Sequence, residues 1–165
     1  MIRRTHSVWL ALAKPVLLAV AILFLYAALE KLQDVPAFVA TVRSHGVIQG
    51  KVALFAAVAV LVAECVVGIG CAFAALGTGR PIAWCWAASM LFFVLALYGA
   101  LAFAAEVIPA SGSCGCGVRF MPGLGWKPVI VQDVLLGGTL LALAWCLRAA
   151  GKDVNELRRP ALQSP

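Results

Sequence analysis

Residues 81–105 read PIAWCWAASMLFFVLALYGALAFAA and contain no charged side chain. A helix needs about 20 mostly apolar residues to cross a bilayer, and this run is long enough. Three further runs of comparable length lie at about residues 10–29, 52–76 and 128–147. Because the runs are continuous rather than alternating, they predict helices and not the strands of a membrane barrel. The sequence therefore predicts an all-α fold: one polytopic membrane domain over residues 1–165, built as a bundle of four transmembrane helices.

The composition points the same way. Apolar residues make up 64% of the chain and charged residues 12%, against about 45–50% and about 25% in ordinary soluble domains. A soluble fold of this size could not bury so much apolar surface, which excludes a water-soluble globular protein, a disordered chain and a secreted disulfide scaffold. The net charge of +6 comes mostly from bases at the ends of the apolar runs. We therefore expect the lipid bilayer as a partner, and no nucleic acid.

The Lys and Arg residues also predict the orientation in the membrane. Eight of them lie on the side that carries both termini, and five lie on the side that carries the connections at about residues 30–51 and 106–127. Since cytoplasmic loops carry the excess of Lys and Arg, we expect both termini to be cytoplasmic and both connections to be exported. The first run follows a basic segment, as in a signal peptide. No clean small-x-small cleavage site follows it, so we expect a retained helix.

The six cysteines divide into two groups. Cys114 and Cys116 lie in the second exported connection, with Gly115 between them. Two thiols this close form a disulfide after a modest bend, which glycine permits. Such a small ring closes almost no loop, which favours a labile redox disulfide over a structural one, although a structural role and binding of a soft ion such as Cu(I) stay open. The other four lie in or beside apolar runs, where a cysteine is usually a small hydrophobic residue: Cys65, Cys71, Cys85 and Cys146.

Ionisable residues in or beside the apolar runs are further candidates for a functional site. Glu64 lies near the middle of the second run, where a charge is costly, so we expect its side chain to face the bundle interior. The functional interpretation is that Glu64 carries a proton or contacts a ligand. The structural alternative is that it forms a hydrogen bond that joins helices. We expect His45 and His6 to be solvated. Four more residues lie toward the exported side and predict a polar pocket under the cysteine connection: Glu30, Lys31, Glu106 and Asp133. The alternative is ion pairing, with Lys31 as one cation and Arg119 or Lys127 as others.

Three segments resemble the MauE/DoxX group of small four-helix membrane proteins. The first is AALEKLQDVPAF at residues 27–38, where an apolar helix ends in Lys-Leu before an aspartate and a phenylalanine. The second is VAECVVG at residues 62–68, a glutamate followed by a glycine. The third is CGCG at residues 114–117, which is similar to the Cys-x-Cys motif of the MauE branch. The order and spacing of the three segments extend the resemblance over nearly the whole chain.

This resemblance implies a membrane redox helper at the periplasmic face of the bacterial inner membrane. The implied role is thiol–disulfide exchange by Cys114 and Cys116, in support of the maturation of a periplasmic client such as the methylamine dehydrogenase small (beta) subunit. A periplasmic thioredoxin-like protein is the implied partner. The protein would be an accessory factor rather than an enzyme or, if an enzyme, a thiol–disulfide oxidoreductase. No cofactor or metal is predicted, although DoxX-type relatives make a quinone-linked oxidoreductase subunit the alternative function.

Overall fold

The computed structural model describes residues 2–104 and 126–158, with side chains for residues 8–104 and 127–151. Helices and no strands occur in these ranges: α1 (Ile2–Gln33), α2 (Val35–Ser44), α3 (Gly50–Ala75), α4 (Pro81–Ala104) and α5 (Trp126–Arg158). Four of these described helices, all except the short α2, are long and apolar enough to cross a membrane. The predicted all-α fold with four spanning helices is confirmed.

The four long helices pack in a ring. Both α1 and α4 lie between α3 and α5. Neighbouring helices run antiparallel. Leu25 of α1 packs on Gly68 of α3. Six residues further along α1, Lys31 contacts Glu64, which precedes Gly68 on α3 by four residues. The ring is therefore an up-down-up-down four-helix bundle.

The centre of the bundle is a cluster of buried apolar side chains from all four long helices. The rings of Phe24 and Phe92 lie with centroids 4.7 Å apart, and Leu140 is 1% exposed beside them. The Ser89 hydroxyl donates a buried hydrogen bond of 2.8 Å to the Gly137 carbonyl, which joins α4 to α5. Because lipid is as apolar as these side chains, such close packing and interhelical hydrogen bonds are what hold membrane helices together.

Small residues bring α3 close to its neighbours. A Cβ atom added at Gly70 would overlap the ring of Trp84 on α4, and one added at Gly68 would lie 3.3 Å from the backbone nitrogen of Leu25 on α1. Side chains at these two positions would separate the helices, so the glycines fix how closely α3 packs against α4 and α1.

The helices differ in extent from the predicted apolar runs. α1 begins at Ile2 and α5 ends at Arg158, since polar residues outside the bilayer continue a helix as readily as apolar ones. The predicted connection at 30–51 holds the end of α1 and the whole of α2. α2 begins there because the Asp34 carboxylate accepts the Ala37 N–H at 2.9 Å, and because Pro36 lies in the first turn.

We call one end of the bundle the α2 end: α1 and α4 finish there, and α3 and α5 begin there. At this end α2 packs on α3 through a cluster formed by Phe38, Val39, Val42, Ala53 and Ala57. Beside it, a smaller cluster joins the last turn of α4 to the first turns of α5 through Ala102, Phe103, Val129 and Ile130.

Candidate functional site

A buried ion pair joins Lys31, near the end of α1, to Glu64 in the middle of α3. The Lys31 Nζ lies 2.6 Å from Oε1 and 2.8 Å from Oε2 of the Glu64 carboxylate, so both oxygens accept from one ammonium group. The two side chains are only 5% and 1% exposed. Charges taken out of water are retained only when they are paired in this way, so each residue supplies the partner that the other requires.

The helical repeat explains why both side chains point inward. On α3 the buried positions include Ala57, Leu61, Glu64, Val67 and Cys71, spaced three or four residues apart. Glu64 therefore lies on the stripe that faces the bundle. On α1 the stripe of Leu17, Ala21, Phe24 and Ala28 continues with the same spacing to Lys31.

One residue of α2, Phe38, lies next to the ion pair. Lys31 Nζ is positioned over the Phe38 ring, 5.5 Å from its centroid, so the ammonium group has an aromatic face near it in addition to the Glu64 carboxylate. Only Asp34 separates α1 from α2. The end of α1 therefore sets the position of α2, and the ion pair is the point where α1, α2 and α3 meet.

A second polar contact lies at the other end of α2. His45, which follows the last residue of α2, shares a hydrogen bond of 2.9 Å between its Nδ1 and the hydroxyl of Tyr98 on α4. The His45 side chain is 2% exposed, so the expectation of a solvated histidine is wrong. Burial lowers the pKa of His45 from its usual range, because the imidazolium form loses its hydration. The position of His45 next to a short amphipathic helix was a signal that its side chain could be buried. Because α2 was not predicted from the sequence, this signal was missed.

The other predicted acids lie apart from the ion pair. Glu30 is half-buried beside it on the outer side of α1, where it accepts a hydrogen bond of 3.2 Å from the Tyr26 hydroxyl. Asp133 is half-buried on α5, and it continues the inward stripe of Gly137, Leu140 and Ala144 by one turn. Among the described residues it has no hydrogen-bond or ion-pair partner. The structure thus brings together Lys31 and Glu64 of the predicted set, but not Glu30 or Asp133.

The remaining predicted site residues, Glu106, Cys114, Gly115 and Cys116, lie outside the described residues. The two ends of their segment are described, and both are at the α2 end: α4 finishes at Ala104 and α5 begins at Trp126. The ends are held side by side, since Lys127 Nζ lies 5.4 Å from the ring centroid of Phe103 and the Ala102 cluster packs beneath them. The two helix ends that flank the cysteine-bearing segment therefore both lie at the α2 end.

The other four cysteines differ in their surroundings. Cys71 and Cys85 are fully buried in the central cluster, where the Cys71 Sγ lies 3.9 Å from the Trp84 carbonyl oxygen. Cys65 and Cys146 are half-buried on α3 and α5. All four are free thiols within the spanning helices. In the described part of the chain, no three His, Cys, Asp or Glu side chains come close enough together to hold a metal ion.

Residues 7–148 match the family model described as methylamine utilisation protein MauE. The chain belongs to the MauE family. No curated protein and no solved structure matches it. Membership, together with the four spanning helices, makes it a multi-pass membrane protein associated with methylamine utilisation. The match confirms the family resemblance seen in the sequence. The segments at residues 27–38 and 62–68 both lie within the matched region, and the structure shows that they supply the Lys31–Glu64 pair.

Proposed function

We propose that this MauE-family protein carries out thiol–disulfide exchange at the periplasmic face of the bacterial inner membrane. In doing so it would support the maturation of a disulfide-containing periplasmic client, such as the methylamine dehydrogenase small subunit. The observation that carries the proposal is the location of Cys114 and Cys116 in a connection whose two ends both lie at the α2 end, outside the spanning helices. Family membership supplies the link to methylamine utilisation.

The other thiols are poor candidates for exchange. The attacking species is a thiolate, and a thiolate is disfavoured in apolar surroundings. Cys71 and Cys85 are fully buried, and Cys65 and Cys146 lie within spanning helices. A water-soluble partner would have to reach into the bilayer to contact any of them. This leaves Cys114 and Cys116 as the pair suited to a partner in the aqueous phase.

The distribution of Lys and Arg supports an exported α2 end. One of the five bases on that side, Lys31, is buried and neutralised by Glu64. The excess of exposed bases on the opposite side is therefore larger than the sequence count suggests, and cytoplasmic loops are the ones that carry such an excess. An exported α2 end would place Cys114 and Cys116 in a compartment where disulfides persist.

The proposed exchange uses two ordinary steps. A thiolate of the client attacks the Cys114–Cys116 disulfide, which forms a mixed disulfide and releases one cysteine of this protein as a thiolate. The second client thiolate then attacks the mixed disulfide. The client gains a disulfide and this protein becomes a dithiol, with the two client thiol protons passing to solvent or to the released thiolates. The disulfide of a thioredoxin-like partner takes up the two electrons in the reverse sequence of steps.

Trapping of the mixed disulfide tests the proposal. In cells that make the client, Cys114→Ser and Cys116→Ser should each be examined for a reductant-sensitive adduct with a periplasmic thiol protein. At least one single variant should accumulate the adduct, because its remaining thiolate attacks the disulfide of the thioredoxin-like partner and the second cysteine, which would release that partner, is absent. The double variant should form none, and Cys146→Ser should behave like the wild type.

If neither single variant forms an adduct and the double variant still supports client maturation, the proposed exchange function is wrong. In that case, stoichiometric Cu(I) binding that is lost in Cys114→Ser would assign the cysteines to a soft ion instead. Quinone that co-purifies with an exchange-inactive protein would favour the oxidoreductase-subunit function.

A further inference from the structure

The end of the bundle opposite the α2 end carries two exposed arginines on neighbouring helices. We call it the far end: α3 finishes there and α4 begins there. Arg80 directly precedes α4, and its carbonyl accepts the Trp84 N–H at 3.3 Å, which ties it to the first turn of that helix. Arg148 lies on α5. Both side chains are exposed, so both guanidinium groups are accessible to a ligand outside the bundle.

The packing of α4 against α5 brings the two arginines to the same level. A Cβ atom added at Gly137 of α5 would lie 3.4 Å from the Cβ of Phe92 on the antiparallel α4. Toward the far end, Arg80 is twelve residues from Phe92 and Arg148 is eleven from Gly137, which is about 18 and about 16 Å along a helix. Eleven residues make close to three full turns, so Arg148 and Gly137 lie on the same side of α5, next to α4. Packed helix axes are about 8–10 Å apart, a gap across which two arginine side chains can reach one ligand.

The depth of the two arginines is that of lipid headgroups. Arg80 directly precedes the apolar run at 81–105, and Arg148 directly follows the run at about 128–147. Since these runs cross the hydrocarbon core, the residues that flank them lie at the level of the lipid phosphates. Trp145, one turn before Arg148, is 60% exposed, and exposed tryptophan is typical of this boundary.

No acid with a described side chain neutralises the two arginines. The salt bridge within the described ranges is the Lys31–Glu64 pair. Two like charges at one level of neighbouring helices repel each other, and an anion bound between them relieves the repulsion. Arginine binds phosphate through two parallel hydrogen bonds, which makes a phosphodiester a suitable anion. The acids with described side chains lie in the middle of the bundle or toward the α2 end: Glu30, Asp34, Glu64 and Asp133.

We propose that Arg80 and Arg148 form a binding site for the phosphate of an anionic phospholipid. The two guanidinium groups hold the phosphate oxygens and so link α4 to α5, and the acyl chains extend along the helices beside Trp145. A soluble phosphate offers the same chemistry, but the headgroup depth and the exposed tryptophan favour the lipid. The site does not depend on the proposed thiol–disulfide exchange, which takes place at the other end of the bundle.

Native mass spectrometry of the full chain in detergent micelles tests the site, with phosphatidylglycerol as the probe. Arg80→Gln and Arg148→Gln should each raise the dissociation constant of this lipid about fivefold, the effect of one base near a membrane surface, and the double variant by about the product. The matched control is Lys14→Gln, which removes the same charge from an exposed side chain of α1 and should bind like the wild type.

Two results of this measurement would overturn the proposal. If Lys14→Gln weakens binding as much as either arginine variant, the lipid responds to overall charge rather than to a site. If the arginine variants bind phosphatidylglycerol like the wild type, the two side chains do not hold its phosphate.

Two competitors distinguish the lipid from a soluble phosphate. Phosphatidylcholine, whose phosphate is balanced by its own choline cation, should displace phosphatidylglycerol only at about tenfold higher concentration or more. Equal competition by phosphatidylcholine would show that the acyl chains rather than the arginines bind, which contradicts the proposal. Inorganic phosphate should not displace the lipid at millimolar concentration. Displacement there would assign the arginines to a soluble phosphate and overturn the lipid assignment.

Thermal unfolding gives an independent readout and checks the fold of the variants. Because the substituted side chains are exposed, all variants should melt with the wild type when no lipid is added. A ligand that binds the folded state raises the melting temperature. Phosphatidylglycerol should therefore stabilise the wild type and Lys14→Gln more than the Arg80→Gln/Arg148→Gln variant. Equal stabilisation of all three proteins would show that the two arginines do not form the site.

Discussion

Lys31 and Glu64, 33 residues apart in the chain, form a bidentate ion pair of 2.6 and 2.8 Å in the interior of a membrane bundle. The pair joins the end of α1 to the middle of α3, and Phe38 of α2 lies next to Lys31. Among the described residues it is the one salt bridge. Replacement of a buried ion pair by apolar residues often costs little stability, whereas the loss of one partner costs a great deal. This asymmetry makes the pair testable.

We predict that Glu64→Gln and Lys31→Met each lower the free energy of unfolding by about 3–5 kcal/mol. Each variant removes one charge of the pair and leaves the other charge buried without its partner. The double variant Lys31→Met/Glu64→Leu should recover most of that loss. Unfolding in mixed detergent micelles measures the effect. Glu30→Gln, which alters a half-buried carboxylate next to Lys31, is the control and should change stability by less than about 1 kcal/mol. A double variant as unstable as the sum of the single variants would contradict this account of the pair.

Gly70→Ala should destabilise the bundle by about 1–3 kcal/mol, because its new Cβ would overlap the Trp84 ring and push α3 away from α4. Gly138→Ala is the matched control, because a Cβ there has no neighbour within 4 Å. It should leave the stability unchanged or raise it slightly through the higher helix propensity of alanine. Thermal unfolding of the two variants in the same detergent makes the comparison, and equal melting temperatures would show that the contact with Trp84 has no energetic consequence.

The lowered pKa of His45 predicts a loss of α2 stability in acid. Above about pH 6.5, the usual pKa of histidine, the side chain is neutral whether α2 is docked or undocked. Below that pH the undocked histidine binds a proton while the buried one does not. The docked state is therefore progressively disfavoured as the pH falls from about 6.5 through the lowered pKa.

Amide exchange of residues 41–45 between pH 5 and 8, corrected for the intrinsic pH dependence of exchange, measures this loss. His45→Asn should remove the pH-dependent part. If His45→Asn shows the same pH dependence as the wild type, the effect arises from another titratable group.

The proposed orientation predicts selective labelling of thiols in intact cells. After mild reduction, a membrane-impermeant thiol reagent should label Cys114 and Cys116. It should leave Cys71 and Cys85 unlabelled, because both are fully buried. The Cys114→Ser/Cys116→Ser variant is the control and should take up no label. Labelling of the wild type only after the inner membrane is broken would place the α2 end in the cytoplasm and reverse the orientation.

The sequence by itself determined the number of spanning helices and their approximate positions. A bilayer accepts only segments that satisfy their own backbone hydrogen bonds over about 20 apolar residues, so the runs at 52–76 and 81–105 could form little else. For the same reason Glu64 could be assigned to the interior, since a charge exposed to lipid is too costly. The Cys-Gly-Cys motif and the family resemblance could also be recognised from local sequence alone.

Tertiary structure alone decided which residues meet. The spanning helices are apolar on every face, so the sequence contains little record of which face turns inward or of the register between helices. Lys31 looked like a loop residue near Glu30, yet the continuation of α1 turns it toward Glu64 and leaves Glu30 outside. His45 looked solvated, yet α2 folds over α3 and buries it against Tyr98. Both contacts join residues far apart in the chain, and such contacts depend on helix packing rather than on local sequence.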